Sequence, residues 1–292
     1  MNAEPSTSIG SPTNGALQHG AALPLHGEGF RFNDRRSSDA RHGTDEVVAA
    51  IRRAARRVQA DLPGSELVVN DLSLPKGGPI PHHGSHRAGR DADILFYLKD
   101  RKGVPIGSVG APLDPAGIGM DFKDLSVPED DVEVRLDAAR TWHFVATLLD
   151  DPQAVVQRIF VVEHLRTLLL TEARSAGAPA SIVTRFEELT CQPSYPHDDH
   201  LHVRWFCSAE DITAGCEEAA PLYPWHLQAM KAQGVTPVLA KLKKAAEPAD
   251  VVTQAEAAQA VQAASPHADV LAFLERRKAW ERQPHPGRLY CR

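Results

Sequence analysis

Two short windows lie more than a hundred residues apart: 82–93 (HHGSHRAGRDAD) and 197–202 (HDDHLH). Together they hold six of the chain's fourteen histidines and four of its aspartates. Imidazole and carboxylate at that density are what a catalytic metal site needs: three nitrogen or oxygen ligands, with one position open to water. Whatever fold the chain adopts must bring these windows together. A small structural zinc knot draws its ligands from nearby residues, so the long separation suits a hydrolase site better.

Strand parity sharpens the reading. In HLHVR, His200 and His202 lie two residues apart and share one strand face, while Leu201 turns to the core. Asp91 and Asp93 share a face in the same way, opposite Ala92. If the two strands are neighbours, two imidazoles and a carboxylate converge, and His86 reaches in from the preceding loop. The competing reading is a polar loop that is simply rich in histidine. Isolated histidines (His143, His164, His226, His267, His285) are ordinary surface or core residues. Imidazole dominates the candidate ligands, which favours zinc over magnesium or calcium. Zinc lowers the pKa of a bound water to roughly 7, and an extra imidazole nearby can take the proton or hydrogen-bond a developing oxyanion. No HExxH helix and no GxSxG elbow is present.

With 292 residues and 42% hydrophobic content, the chain can bury a sizeable core as one large domain, or one domain with an appendage. A net charge of −6 does not mark it as a polyanion binder. The basic run IRRAARRVQ (51–59) falls on one side of a helical pattern and reads as a solvated face, not a nucleic-acid patch. No apolar run approaches the ~18 residues of a membrane span, and no charged leader with an apolar core is visible. Cys191, Cys207, Cys216 and Cys291 form no CxxC pair. Spacing alone leaves open whether Cys207 and Cys216 are bridged or are buried thiols.

Residues 1–43 read as an extended, turn-rich lead-in. Thr44 caps a helix to about Ala60, with Val47, Val48, Ile51, Ala54, Ala55 and Val58 as its apolar stripe. Strands are predicted at 66–74, 91–98, 155–162 and 200–206, and helices at 138–149, 165–176 and 181–189. Residues 101–136 read as loop. The elements do not alternate regularly, which predicts an α+β fold: an antiparallel sheet core with flanking helices and long loops carrying the site. The domain spans 1–218. Beyond it, 219–292 is an Ala-rich extension with helical spacing in 238–247, 251–264 and 268–280, docked or tethered and without an evident chemical constellation.

The windows carry two longer motifs. H-x-S-H-x-x-G-x-D-x-D runs from His83 to Asp93, and H-x-x-H-x-H-[VI]-R from His197 to Arg204. Together they resemble the penicillin-insensitive murein endopeptidases, within the zinc peptidase group that includes lysostaphin-type enzymes, D-alanyl-D-alanine peptidases and the hedgehog signalling domain. Similarity extends over roughly residues 8–216, including SIGSPTNGALQHGAALP, LPKGGPIP, HFVATLLDDP and IFVVEHL. It fades after about 219.

The resemblance implies a zinc peptidase that cuts the D-alanyl to diaminopimelyl cross-link of peptidoglycan without a penicillin-sensitive serine. It implies His86, Asp93 and His202 as zinc ligands, and His200 acting on the water or the tetrahedral intermediate. His197 is then a further active-site histidine, with His83 and Asp91 lining the site. The family's two cysteines after HxH match Cys207 and Cys216, which implies a local disulfide; Cys191 and Cys291 have no clear counterpart. Arg87 departs from the glutamine expected there. Arg204 and Lys76 are candidate partners for substrate carboxylates, against their plainer reading as surface charges. The family is exported to the periplasm, so a processed or trimmed form is expected. Two alternatives stay open: a catalytically inactive, zinc-bearing cell-wall binding module, and a D,D- or L,D-carboxypeptidase on uncross-linked stem peptides.

Overall fold

Along the strand His200–Trp205, Leu201, Val203 and Trp205 alternate with His200, His202 and Arg204, so the two sets leave opposite faces of the sheet. In the computed structural model, which describes residues 4–81, 83–193, 195–241, 254–281 and 291, this strand is central in a seven-stranded sheet. The spatial order is Thr190–Cys191, Val156–Phe160, His200–Trp205, Asp91–Leu95, Leu67–Val69, Phe30–Phe32 and His26–Gly27. Pairing is antiparallel except for two parallel pairs, Val156–Phe160 with Thr190–Cys191 and Phe30–Phe32 with Leu67–Val69. The architecture is α+β with sheets that are mainly antiparallel. His82, in the first histidine window, lies outside the described residues.

Helices cover the apolar face. Thr44 caps Asp45–Asp61 by accepting from the Val47 amide, and the whole predicted stripe from Val47 to Val58 is buried. Helices Ala138–Asp150, Glu163–Ser175 and Ala180–Leu189 follow the predicted spans closely. Their apolar stripes, with Phe144, Leu148, Leu165 and Leu169, join Ala92, Ile94, Leu201 and Val203 in one core. The other face of the sheet is left to loops and polar side chains.

Three expectations are corrected. The segment 101–136 is not all loop: Leu98–Lys99, Pro105–Ile106, Ile118–Asp121 and Val132–Leu136 form a second, four-stranded sheet. Three of its strands are only two to four residues long, and the one that alternates, Val132–Leu136 with Val134 and Leu136 buried, is a five-residue stretch among Pro, Gly and Asp. The lead-in likewise contains a hairpin, Thr7–Ser11 with Asn14–Gln18, and Phe30–Phe32 joins the main sheet. The predicted strand 66–74 is reduced to Leu67–Val69, after which the chain loops beneath the site.

Both disulfides lie in or beside the sheet. Cys207 pairs with Cys216, and Cys191 pairs with Cys291. In the C-terminal segment the described helices are Pro224–Ala232, Gln254–Ala263 and Ala268–Glu281. The helical spacing read at 238–247 does not hold where it is described: the amide of Glu218 donates to Val238 and that of Ala240 donates back to Glu218, so residues 238–241 run extended. Residues 242–247 lie outside the described set. No helix of the described residues is long and apolar enough to cross a membrane.

Candidate metal centre

The two histidine windows meet in the middle of the sheet. Strands Asp91–Leu95 and His200–Trp205 are antiparallel neighbours, with His202 opposite Asp93 and Arg204 opposite Asp91. The predicted parity therefore holds, and the polar face of this pair forms the floor of the site. His86 comes from the loop before the first strand. It has φ +65°, an uncommon value for a residue with a side chain. Its amide donates to Asp91 Oδ2 at 3.3 Å, and its carbonyl accepts from Ser73 Oγ at 2.6 Å. Gly89, three residues on, has φ +73°, and a Cβ there would lie 2.7 Å from Leu17. The loop needs glycine at that point to deliver His86 and Asp91 together.

Asp93 is the focus. Its Oδ1 lies 3.3 Å from His86 Nε2, 3.4 Å from His202 Nδ1 and 3.4 Å from His200 Nε2. His83 Nδ1 is 3.6 Å from the other oxygen, Oδ2. His83, His86 and Asp93 each offer a ligand atom within 4.8 Å of the other two, a group able to hold a metal ion.

Each imidazole has its second nitrogen committed elsewhere. His86 Nδ1 donates to the Leu72 carbonyl at 2.6 Å, and His202 Nε2 donates to Asp91 Oδ1 at 2.8 Å. His200 Nδ1 donates to Asp199 Oδ1 at 2.6 Å, and His83 Nε2 to Asp71 Oδ2 at 2.9 Å. His197 Nδ1 faces the Tyr195 carbonyl at 3.0 Å. In a neutral ring these acceptors fix the tautomer and leave a bare nitrogen lone pair on the side that turns to the site.

Burial and charge set the electrostatics. Burial alone would protonate Asp93, yet His86 and His200 hold its carboxyl well below the ordinary range. Asp91 is also pulled down against burial, by the Arg204 guanidinium and the His202 hydrogen bond. Burial would lower the pKa of His200, but Asp199 and Asp93 raise it well above the ordinary value. His197 is pushed down to about 3 by burial and by the neighbouring His200 and His202. His202 falls to about 4, with burial outweighing Asp91.

The donor set fits a divalent metal. His86 Nε2 and Asp93 Oδ1 are both buried without a hydrogen-bond partner, which is costly unless a cation lies between them. Ligand atoms about 2.0–2.1 Å from a tetrahedral ion stand about 3.3–3.4 Å from each other. That is the spacing seen from Asp93 Oδ1 to His86 and His202.

Other predicted residues take different places. Arg204 is buried, and its Nε donates to Asp91 Oδ1 at 2.6 Å, so it supports the site from behind. Lys76 is exposed. Four supporting groups carry no role in the sequence motifs: Asp71, the Leu72 carbonyl, Arg36 (ion-paired to Asp71) and Asp199 behind His200. Only Asp199 has a sequence signal, its place inside HDDH.

A profile of the penicillin-insensitive murein endopeptidase family matches residues 8–260, both histidine windows included. The chain belongs to that family. The penicillin-insensitive murein endopeptidase of Haemophilus influenzae is 30% identical over 221 residues, 73% of this chain and 68% of its own length. That of Pectobacterium atrosepticum is 28% identical over 217 residues, 72% of this chain and 68% of its own. An Escherichia coli relative of the same name is 26% identical over 219 residues, 74% of this chain and 71% of its own. The family match runs past residue 216, where the resemblance of motifs ends, and stops short of the helix Ala268–Glu281. Membership makes peptidoglycan hydrolysis the class of activity to which the site belongs.

Proposed function

We propose that this endopeptidase family member is a zinc metallopeptidase that hydrolyses the D-alanyl to diaminopimelyl cross-link between peptidoglycan stem peptides. One observation carries the reading: three imidazole nitrogens gather 3.3–3.4 Å from the single oxygen Asp93 Oδ1. His86, Asp93 and His202 are the ligands. His200 is set apart from them by exposure, since its side chain is 16% exposed against 0% and 8% for His86 and His202. Zinc is favoured because imidazole dominates the donors, and when bound it acidifies a water and polarises the scissile carbonyl.

The protein's own groups do the rest. Asp199 holds His200 with Nε2 toward the reacting centre, where it would hydrogen-bond the tetrahedral intermediate and give a proton to the departing amine. Its imidazolium form is stabilised by the two carboxylates beside it. His197 stays neutral at physiological pH and presents an acceptor to the site. Asp91 and the Leu72 carbonyl orient the ligand imidazoles, the carboxylate–histidine arrangement that raises ligand basicity. Two disulfides support a periplasmic location, because such bonds persist in oxidising compartments. The residues to 218 form the catalytic domain, and those from 219 an extension to it.

The test is mass spectrometry of purified cross-linked muropeptide dimers incubated with the protein, with and without a zinc chelator. Conversion of dimers to monomers only without chelator is expected. Release of terminal D-alanine alone would mean a carboxypeptidase. Untouched dimers with a zinc-replete protein would favour a binding module.

A further inference from the structure

Asp198 lies between His197 and the Asp199–His200 pair, and its side chain is fully buried. A carboxylate there has no access to water and must be paired. Its partners come from the C-terminal helix Ala268–Glu281. Arg277 Nε donates to Oδ2 at 2.9 Å and Nη2 to Oδ1 at 2.7 Å, a two-point fork, and Trp280 Nε1 donates to Oδ2 at 3.0 Å. The backbone of the same loop is held from the core side: Val162 donates to the His197 carbonyl at 3.0 Å and Leu113 to the Asp198 carbonyl at 2.8 Å.

The helix is itself seated firmly. Val270 and Phe273 are buried, and Phe273 meets Phe122 edge-on at 5.5 Å. Trp280 meets His164 edge-on at 5.9 Å. Cys291 is bonded to Cys191, at the start of the segment that leads to the histidine loop. Helix Ala268–Glu281 lies beyond the stretch matched by the family.

We infer that the C-terminal helix completes the active site: Arg277 and Trp280 are positioning residues that, through Asp198, hold His197 and the Asp199–His200 pair against Asp93. Neither side chain touches the reacting centre. Without the clamp, Asp198 is a buried charge with no partner, and the loop relaxes toward water to solvate it. His200 then loses its alignment, and small misplacements of a proton-transferring group are costly. The inference rests on His200 acting as proposed above.

The test uses the full chain, zinc-loaded and zinc-free, with two readouts: steady-state cleavage of muropeptide dimers, and the imidazole nitrogen NMR resonances of His197 and His200. For Arg277→Gln we expect kcat to fall about tenfold or more, with KM and zinc stoichiometry unchanged and both sets of resonances displaced. Arg277→Lys, which keeps the charge but not the fork, should recover part of both. Parental kcat and unmoved resonances in Arg277→Gln would overturn the inference. If that variant does not fold, Trp280→Phe, which removes one donor, decides by the same two measures. If the parent itself leaves dimers intact, the proposed activity fails, while the resonances still judge the clamp in the absence of substrate.

Discussion

His202 and Asp91, 111 residues apart in sequence, are joined by a 2.8 Å hydrogen bond from imidazole Nε2 to carboxylate Oδ1, while the same Oδ1 accepts from Arg204. This bond leaves His202 Nδ1 bare and turned to Asp93. Asp91→Asn replaces an anionic acceptor by a neutral one and is expected to weaken zinc binding about 10–100-fold. Competition against a chromogenic chelator measures it; unchanged affinity would rule out a supporting role for Asp91.

Asp91 also makes stability depend on pH. Its folded pKa is depressed, so the contribution is complete above the unfolded value of about 4 and is lost as pH falls below that toward the folded one. Urea unfolding of the zinc-free protein from pH 7 to pH 3 should show falling stability, and Asp91→Asn should show a shallower fall. Equal slopes in the two proteins would place the acid sensitivity elsewhere.

His200 and His202 should separate cleanly by substitution. His202→Ala is expected to lose its zinc and with it all activity. His200→Gln should keep zinc and lose about 10²–10⁴-fold in kcat, the usual worth of a positioned acid–base group. Asp199→Asn should fall in between the parent and His200→Gln. Metal analysis beside kinetics separates these cases, and a His202→Ala protein with full zinc content would defeat the ligand assignment.

The Cys207–Cys216 bond closes a short loop whose neighbours, Gly215 and Glu217, hydrogen-bond Gly10 of the N-terminal hairpin. For a loop of that size the chain-entropy relation gives about 2–3 kcal/mol. The double variant Cys207→Ser with Cys216→Ser should lower the stability from chemical denaturation by that amount. A change near zero would mean that the hairpin contacts alone hold this corner.

Much of the site is legible in the sequence. Parity puts His200 and His202 on one strand face and Asp91 with Asp93 on another, and both inferences need only the two-residue period of a strand. The apolar stripe from Val47 to Val58 is equally plain. Long-range partners that carry no local pattern are not legible. Asp71 under His83 is an ordinary aspartate in a loop, and Arg277 is one charge in an Ala-rich, Lys- and Glu-containing helix. The strands of 98–136 are hidden for a different reason: they are two to five residues long, and only Leu98, Val134 and Leu136 among them are buried in the core. The Cys191–Cys291 bond spans a sequence separation of 100, beyond what spacing can suggest.

The pairing of His202 with Asp93 and Arg204 with Asp91 sits at the centre of the sheet, between strands whose other faces build the core. A slip of one residue would turn every side chain of one strand over, driving imidazoles into the apolar layer and exposing Leu201 and Val203. Catalytic competence and correct strand pairing are thus tested by the same arrangement of atoms. A polypeptide that has reached its native sheet has therefore set Asp93 opposite His202 in the same event, and only the loop that brings His86 and the helix that clamps Asp198 remain to be added.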